Sequence, residues 1–301
     1  MSSNSRANNQ PSGTKQSESN FSQRFVGVHL SGPNANKTAV VILEGALPGL
    51  PLLVHKVYEK IGIFGNIFSD DRLFEIISTQ PMSKLSAVFV DCPLTVPPCV
   101  ACSRPVCPGA YSCEDLAVAY MLSLSSRVKS RGAQRTRPVN PQSQRLWDIV
   151  YFAENTGARR EPSYSANMAP LVTRAKTLER RLRGLCPPVA VRETSIPLAL
   201  DRIGQITAYA GDAAEEYRNF EKGAQTRQRI VKELMAAGFL DDCLTPDLQK
   251  SIAATVEVFS AFIAAVVNAM ADSGRTDTRP QHYLASEGWV HLPKIPEQRE
   301  N

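Results

Sequence analysis

Short apolar runs rich in β-branched and aromatic residues predict five strands along this chain. The runs cover 25–30, 38–43, 50–57, 85–90 and 189–193. The first three lie close enough in sequence to pair as an antiparallel meander. The run at 85–90 is apolar throughout, which is typical of a strand covered on both faces.

Helical spacing of apolar residues separates the later strands. Predicted helices cover 69–77, 114–129, 169–185, 197–203, 213–237 with a break near Gly223, and 246–271, where Thr245 is the expected N-cap. A meander of strands followed by strands that alternate with helices predicts an α/β fold with a mixed sheet flanked by helices.

Composition sets the limits of the predicted domain. An apolar share of 43% and a charged share of 21% are typical of a globular protein with a sizeable core. Residues 1–24 are rich in Ser, Asn and Gln, so we expect a disordered tail, then one domain over 25–293 and a short tail over 294–301.

No apolar run reaches the about 20 residues that cross a bilayer, and no secretory signal is visible. We therefore expect a cytoplasmic protein without a membrane partner, of undetermined oligomeric state.

Four cysteines in a proline-rich loop over 92–113 predict a metal site. Cys99, Cys102, Cys107 and Cys113 follow the spacing C-x2-C-x4-C-x5-C directly after the fourth strand. Tetrahedral Zn2+ neutralises four thiolates, and a site filled by four sulfurs leaves no position for substrate, so the expected zinc is structural. An iron–sulfur cluster uses the same ligands, and four reduced thiols in a structural loop are the remaining alternative.

Two basic clusters stand out against a net charge of only +5. The first runs from Arg127 to Arg145 without an acidic residue, and its Arg135, Arg137 and Arg145 are candidates for binding a nucleotide, a nucleic acid or another anion. The second cluster lies over 174–183, where a solvated helix face is the preferred interpretation.

Five phrases in order resemble a widespread family of predicted nucleases with a ribonuclease H-like fold, known as a domain of unknown function. A first-strand "GxDxxG" phrase is similar to Gly27–Gly32, "D-x-P-L-x-x-P" to Asp91–Pro97, and "E-x-x-P" to Glu193–Pro197. "F-D-A-F/L" is similar to Phe259–Phe262 and a closing "E-G-W" to Glu287–Trp289. The cysteine loop looks like a feature of a subgroup of this family.

The resemblance implies two-metal phosphodiester hydrolysis by carboxylates that hold two Mg2+ or Mn2+ ions about 4 Å apart. Asp91 and Glu193 match the family pattern, and we expect them at neighbouring strand ends, in one cleft. The chain departs from the pattern twice, with His29 and Ser260 where the family has Asp. His29 still suits a softer ion such as Mn2+, and Glu257 lies on the same helix face as Ser260.

Each candidate site residue also has an ordinary structural interpretation. His29 fits a packed histidine, Asp91 a turn cap, Glu193 an ion pair and Ser260 a small core residue. Three functions follow: a metal-dependent nuclease with an altered site and weak or absent activity, a non-catalytic nucleic-acid-binding or scaffold protein, and a nucleotide- or anion-binding protein. The departures at His29 and Ser260 favour weak or no catalysis.

Overall fold

A computed structural model describes residues 22–32, 35–46, 51–63, 67–124, 139–154, 164–165, 167–209, 211–279 and 288–295. The strands are β1 (Ser22–His29), β2 (Thr38–Ala46), β3 (Leu53–Ile61), β4 (Leu85–Val90), β5 (Val191–Thr194) and β6 (Val290–His291). The helices are α1 (Ser69–Ser78), α2 (Pro98–Ala101), α3 (Leu116–Leu124), α4 (Leu146–Glu154), α5 (Ala169–Arg183), α6 (Ile196–Thr207), α7 (Ala213–Glu216), α8 (Gly223–Ala236), α9 (Pro246–Ala254) and α10 (Val256–Asp272).

The strands form one six-stranded mixed sheet in the order β3-β2-β1-β4-β5-β6. β1 pairs antiparallel with β2, and β2 antiparallel with β3. β4 runs parallel to β1, β5 parallel to β4, and β6 parallel to β5. The predicted α/β class with a mixed sheet is confirmed, and β1 lies between β2 and β4 in that sheet.

Helices cover both faces of the sheet because the central strands carry apolar side chains on both sides. Val26 and Val28 of β1 pack on the face that α1 and α5 cover. Phe25 packs on the opposite face with α6, α8, α9 and α10. A Cβ atom on Gly27 would lie 2.0 Å from the carbonyl oxygen of Ala261, so the absent side chain lets α10 lie directly on β1.

A smaller core lies where the chain between β4 and β5 meets β6. Its buried residues come from α3, α4, the start of α6 and the β6 region: Met121, Leu124, Leu146, Trp147, Ile149, Leu198, Val290 and Leu292. The β6 strand was not predicted because its two paired residues are too few for a period-2 pattern.

Several boundaries differ from the sequence-based expectation. β1 begins at Ser22 because its partner β2 extends to Ala46, and β3 ends at Ile61.

The single helix predicted over 246–271 is two helices, α9 and α10, whose axes are bent by 108° relative to each other. Thr255 causes the break, since its extended backbone and its hydroxyl, which accepts from the N–H of Val258, start a new helix. The predicted N-cap Thr245 is confirmed by its bond from the N–H of Leu248.

No single helix in the described ranges is long and apolar enough to cross a membrane. Only α9 and α10 taken together have the length and the apolar composition of a membrane span, and α10 lies in the core of the domain. The predicted tails over 1–24 and 294–301 fall largely outside the described residues, which begin at Ser22 and end at 295.

Candidate functional site

A cleft of about 670 Å³ opens at the carboxyl ends of the parallel neighbours β1 and β4. This edge of an open α/β sheet is where ligands commonly bind, because strand ends and helix N-termini meet there. We call it the β1–β4 cleft. Its polar lining includes His29, Lys37, Asp91, Asn167, Ser195, Arg218 and Glu257.

The carboxylate of Asp91 is anchored at the centre of this cleft. The backbone N–H of Asp91 donates to the carbonyl of Val28, which extends the pairing of β4 with β1. Oδ1 of Asp91 accepts a 3.1 Å hydrogen bond from the N–H of Ile196 at the start of α6. Oδ2 lies 3.7 Å from Nδ1 of His29 and 3.9 Å from Nη2 of Arg218. One oxygen is therefore held by the fold, and the other faces two groups that can carry positive charge.

Three buried polar atoms near Asp91 make no hydrogen bond of standard geometry within the described part of the chain: His29 Nδ1, Tyr217 Oη and Ser260 Oγ. Burial and then the charge of Asp91 raise the pKa of Tyr217, while the nearby Arg218 and Ser260 oppose that shift. Buried polar groups normally have partners, and unpartnered ones commonly mark an ordered water or ion. These three atoms are available to bind an ordered water or an ion next to Asp91.

Arg227 fixes the chain that carries Tyr217. Its guanidinium donates to the carbonyl of Tyr217 at 2.6 Å and to the carbonyls of Ala253 and Ala254 at 2.8 and 3.1 Å. The last two belong to the end of α9, whose final carbonyls have no helical partner. Arg227 therefore ties Tyr217 to the bend between α9 and α10.

Glu257 is the second carboxylate of the β1–β4 cleft. It lies in the first turn of α10, and its Oε1 is 3.8 Å from Nζ of Lys37. The side chain of Lys37 is 70% exposed, so this ion pair is weak and readily exchanged for another partner. Glu257 lines the cleft, whereas Ser260, one turn further along α10, is fully buried and does not line the cleft.

Glu193 does not lie with Asp91. Glu193 is paired with Val90 in the sheet, and the side chain of Val90 packs on the face that α1 and α5 cover. Paired residues point to the same face of a sheet, and successive residues along a strand point to opposite faces. Asp91 follows Val90 and turns to the other side, toward Arg218. The two carboxylates that match the family pattern are not brought together.

The carboxylate of Glu193 instead forms a buried ionic cluster with Arg145 and Asp148. Nη1 and Nη2 of Arg145 each donate to one oxygen of Glu193 at 2.7 Å. Nη2 also donates to Asp148 at 3.1 Å, and the N–H of Leu94 donates to Glu193 at 3.0 Å. Burial alone would lower the pKa of Arg145, but the two carboxylates outweigh it and raise the pKa, so the guanidinium stays charged.

The expected anion-binding role of Arg145 does not fit this position. The side chain is 1% exposed and already serves two carboxylates. A ligand would have to displace a buried, paired carboxylate to reach it, which is strongly unfavourable. Arg135 and Arg137, the other two candidates of this cluster, lie outside the described residues.

A second concavity, of about 1050 Å³, adjoins the cleft and shares Lys37 with it. Lys60 and Arg72 add two more cations, and none of its described lining residues is acidic. The ring of Phe68 is 69% exposed at this surface. We call this surface, defined by Lys37, Lys60, Phe68 and Arg72, the basic groove.

The second basic cluster of the sequence forms a paired helix face. Arg181 lies 2.6 Å from Asp71 of α1, and Arg183 lies 2.6 Å from Glu179 of its own helix. Arg174 donates to Asp70 and to the carbonyl of Ser31. Arg183, which is 68% exposed, fits the preferred interpretation of a solvated helix face, whereas Arg174 is only 13% exposed and is held by Asp70 and Ser31.

The four loop cysteines are free thiols, as are Cys92, Cys186 and Cys243. Among the described residues, no three His, Cys, Asp or Glu side chains lie in an arrangement that would hold a metal ion as they stand. Burial, followed by the charges of Cys113, Cys107 and Cys102, raises the pKa of Cys99. Cys102, Cys107 and Cys113 thus lie close enough to Cys99 to affect its ionisation.

Arg218, which lines the cleft, and the fully buried Tyr217 next to it are residues that sequence reasoning missed. They directly follow α7 and approach Asp91 from far along the chain, and no spacing or motif distinguishes them. Lys37 was missed for a similar reason, because a single lysine directly before a strand does not by itself indicate a binding site. Only the folded chain brings Arg218 to Asp91 and Lys37 to Glu257.

No family model, curated protein or solved structure matches this chain.

Proposed function

We propose that this chain is a ribonuclease H-like protein that binds phosphodiesters in the β1–β4 cleft and has lost most or all of its metal-dependent nuclease activity. The observation that carries the proposal is the set of groups around Asp91. A single anchored carboxylate faces His29 at 3.7 Å and Arg218 at 3.9 Å, while Glu193 is neutralised elsewhere by Arg145. This arrangement suits one phosphate or one cation better than two magnesium ions.

The sheet order supports a ribonuclease H-like assignment. The strands β1, β2 and β3 form an antiparallel meander, and β4 and β5 run parallel to β1. This order agrees with the mixed sheet of the ribonuclease H-like fold that the sequence resemblance implies. The phrase that begins at Asp91 and the phrase that begins at Glu193 both start at the carboxyl ends of these parallel strands.

The charge balance argues against a two-magnesium centre. Two Mg2+ ions need several oxygen ligands, and Mg2+ gives up its water shell reluctantly. Asp91 offers one free oxygen, Glu257 offers a second carboxylate, and Arg218 and Lys37 compete with metal ions for both. His29 adds an imidazole, which Mn2+ accepts more readily than Mg2+ does. A single Mn2+ held by Asp91 and His29 is the metal state that these residues fit.

The same cations suit a phosphate-bearing ligand. Arg218 and Lys37 reach into the β1–β4 cleft, and Lys60 and Arg72 continue the positive surface into the basic groove. Phe68 offers an exposed ring on which a base can stack. A strand of nucleic acid that follows the groove would bring one phosphate to Lys37 and Arg218, and a nucleotide would fill the cleft alone. We also propose a cytoplasmic location, which agrees with a nucleic-acid or nucleotide ligand.

The first test compares binding of a labelled single-stranded oligonucleotide across a salt titration. The double variant Lys37→Ala with Lys60→Asn removes two groove cations; Asn is chosen because Lys60 has a positive φ of 52°, which Asn tolerates. We expect weaker binding and a salt slope smaller by about 1.4, because each phosphate contact on a single strand contributes about 0.7.

The matched control is Lys232→Ala with Lys250→Ala, which removes the same charge from exposed positions on α8 and α9. If the two double variants weaken binding equally, the affinity comes from net charge and the basic groove is not the binding surface. If neither variant changes binding, the proposed surface is wrong.

A further inference from the structure

The four loop cysteines lie in or beside two successive turns of the loop. Cys99 lies in the single turn of α2, and Cys102 is the residue that ends it. Cys113 ends a 3-10 turn over Ala110–Ser112. Gly109, with a φ of 88°, allows the reversal that precedes this second turn, and Cys107 lies between the two turns.

Packing does not explain why four cysteines stand here. Free cysteine is among the residues most often buried, yet Cys102 and Cys107 are exposed. The apolar side chains of the loop do not form a core either, because Val106 is 77% and Tyr111 94% exposed. The described contacts that hold the loop are few: the N–H of Cys99 donates to the carbonyl of Pro141 at 3.2 Å, and Arg104 lies 3.7 Å from Glu114.

The charges of the thiolates favour a cation at this place. Four thiolates brought together in one short loop repel one another unless a cation neutralises them. A divalent ion removes this repulsion, and each thiol that binds it releases its proton. The sulfurs are not yet in ligand geometry, but Cys102 and Cys107 are exposed and can move inward without disturbing the core.

We propose that Cys99, Cys102, Cys107 and Cys113 bind one Zn2+ ion as a closed, structural tetrathiolate site. The ion joins the two turns and supplies the stabilisation that the loop lacks in apolar contacts. The loop begins at the segment where Leu94 and Thr95 contact Glu193 and Arg145, so the ion also stabilises the chain next to the buried ionic cluster. This site is independent of phosphodiester binding in the β1–β4 cleft.

Elemental analysis of the full chain, purified under reducing conditions, tests the proposal. We expect about one zinc and no iron per chain. Cys186→Ser and Cys243→Ser change exposed free thiols outside the loop and should leave the zinc content unchanged. Cys107→Ser should weaken zinc binding in a chelator competition by more than about 100-fold, because losing a ligand costs more than losing an outer-shell partner.

Cys107 is chosen because it is exposed and its substitution leaves the core intact. Circular dichroism of the variant distinguishes loss of the ion from loss of the fold. The proposal is overturned if the wild-type chain contains no zinc, if iron takes its place, or if Cys107→Ser and Cys186→Ser hold zinc equally well.

Discussion

At the scale of single residues, Arg145 links three parts of the chain that lie far apart in sequence. Its guanidinium contacts Glu193 at the end of β5, Asp148 in α4 and the hydroxyl of Thr95 after β4. Glu193 could be predicted to end a strand because it follows a short apolar run. Its partner could not be predicted, since Arg145 lies 48 residues away in sequence among several similar arginines.

The variant Arg145→Met should strongly destabilise the fold. It leaves the carboxylates of Glu193 and Asp148 buried without their counter-charge, which typically costs about 3–5 kcal/mol. The measurement is the free energy of unfolding in urea. The control Arg183→Met removes an arginine that is 68% exposed and should change the free energy of unfolding by less than about 1 kcal/mol. Equal effects of the two variants would show that the buried cluster adds nothing beyond a surface ion pair.

At the scale of elements, the contact of α10 with β1 sets the geometry of the β1–β4 cleft. β1 carries His29 and α10 carries Glu257, and the two elements touch directly at Gly27. The helical character of 246–271 could be predicted from its spacing, but its division at Thr255 could not. Threonine is tolerated inside helices, and only packing against the sheet shows that its capping geometry is used here.

Gly27→Ala tests the contact of α10 with β1. A Cβ at this position would lie 2.0 Å from the carbonyl oxygen of Ala261 and 2.3 Å from the amide nitrogen of Ala265, both backbone atoms. The helix must move to make room, and we expect a loss of about 3 kcal/mol or more in the free energy of unfolding. Gly32→Ala is the control, because its Cβ meets nothing within 4 Å. A fully stable Gly27→Ala variant would contradict the close approach of α10.

At the scale of the whole molecule, the sheet was predictable and the site only partly so. Continuous apolar runs in β1, β2 and β4 indicate buried central strands whatever the details of packing. The cleft follows from the topology, because β1 and β4 are parallel neighbours, and this places His29 beside Asp91. The positions of the cations in the cleft and the pairing of Glu193 with Arg145 depend on contacts between residues far apart in sequence. They also depend on the face of the sheet to which each side chain points, and short motifs do not encode either.

The most direct test of the central claim is a cleavage assay on labelled single-stranded oligonucleotides with Mg2+ or Mn2+ as the only divalent ion. We expect no cleavage with Mg2+ above the metal-free background, because Asp91 is the only anchored carboxylate among the described residues that line the cleft. With Mn2+ we expect at most weak cleavage, which Asp91→Ala abolishes. Robust Mg2+-dependent cleavage by the wild-type chain, lost in Asp91→Ala, would contradict the account and identify the protein as an active nuclease.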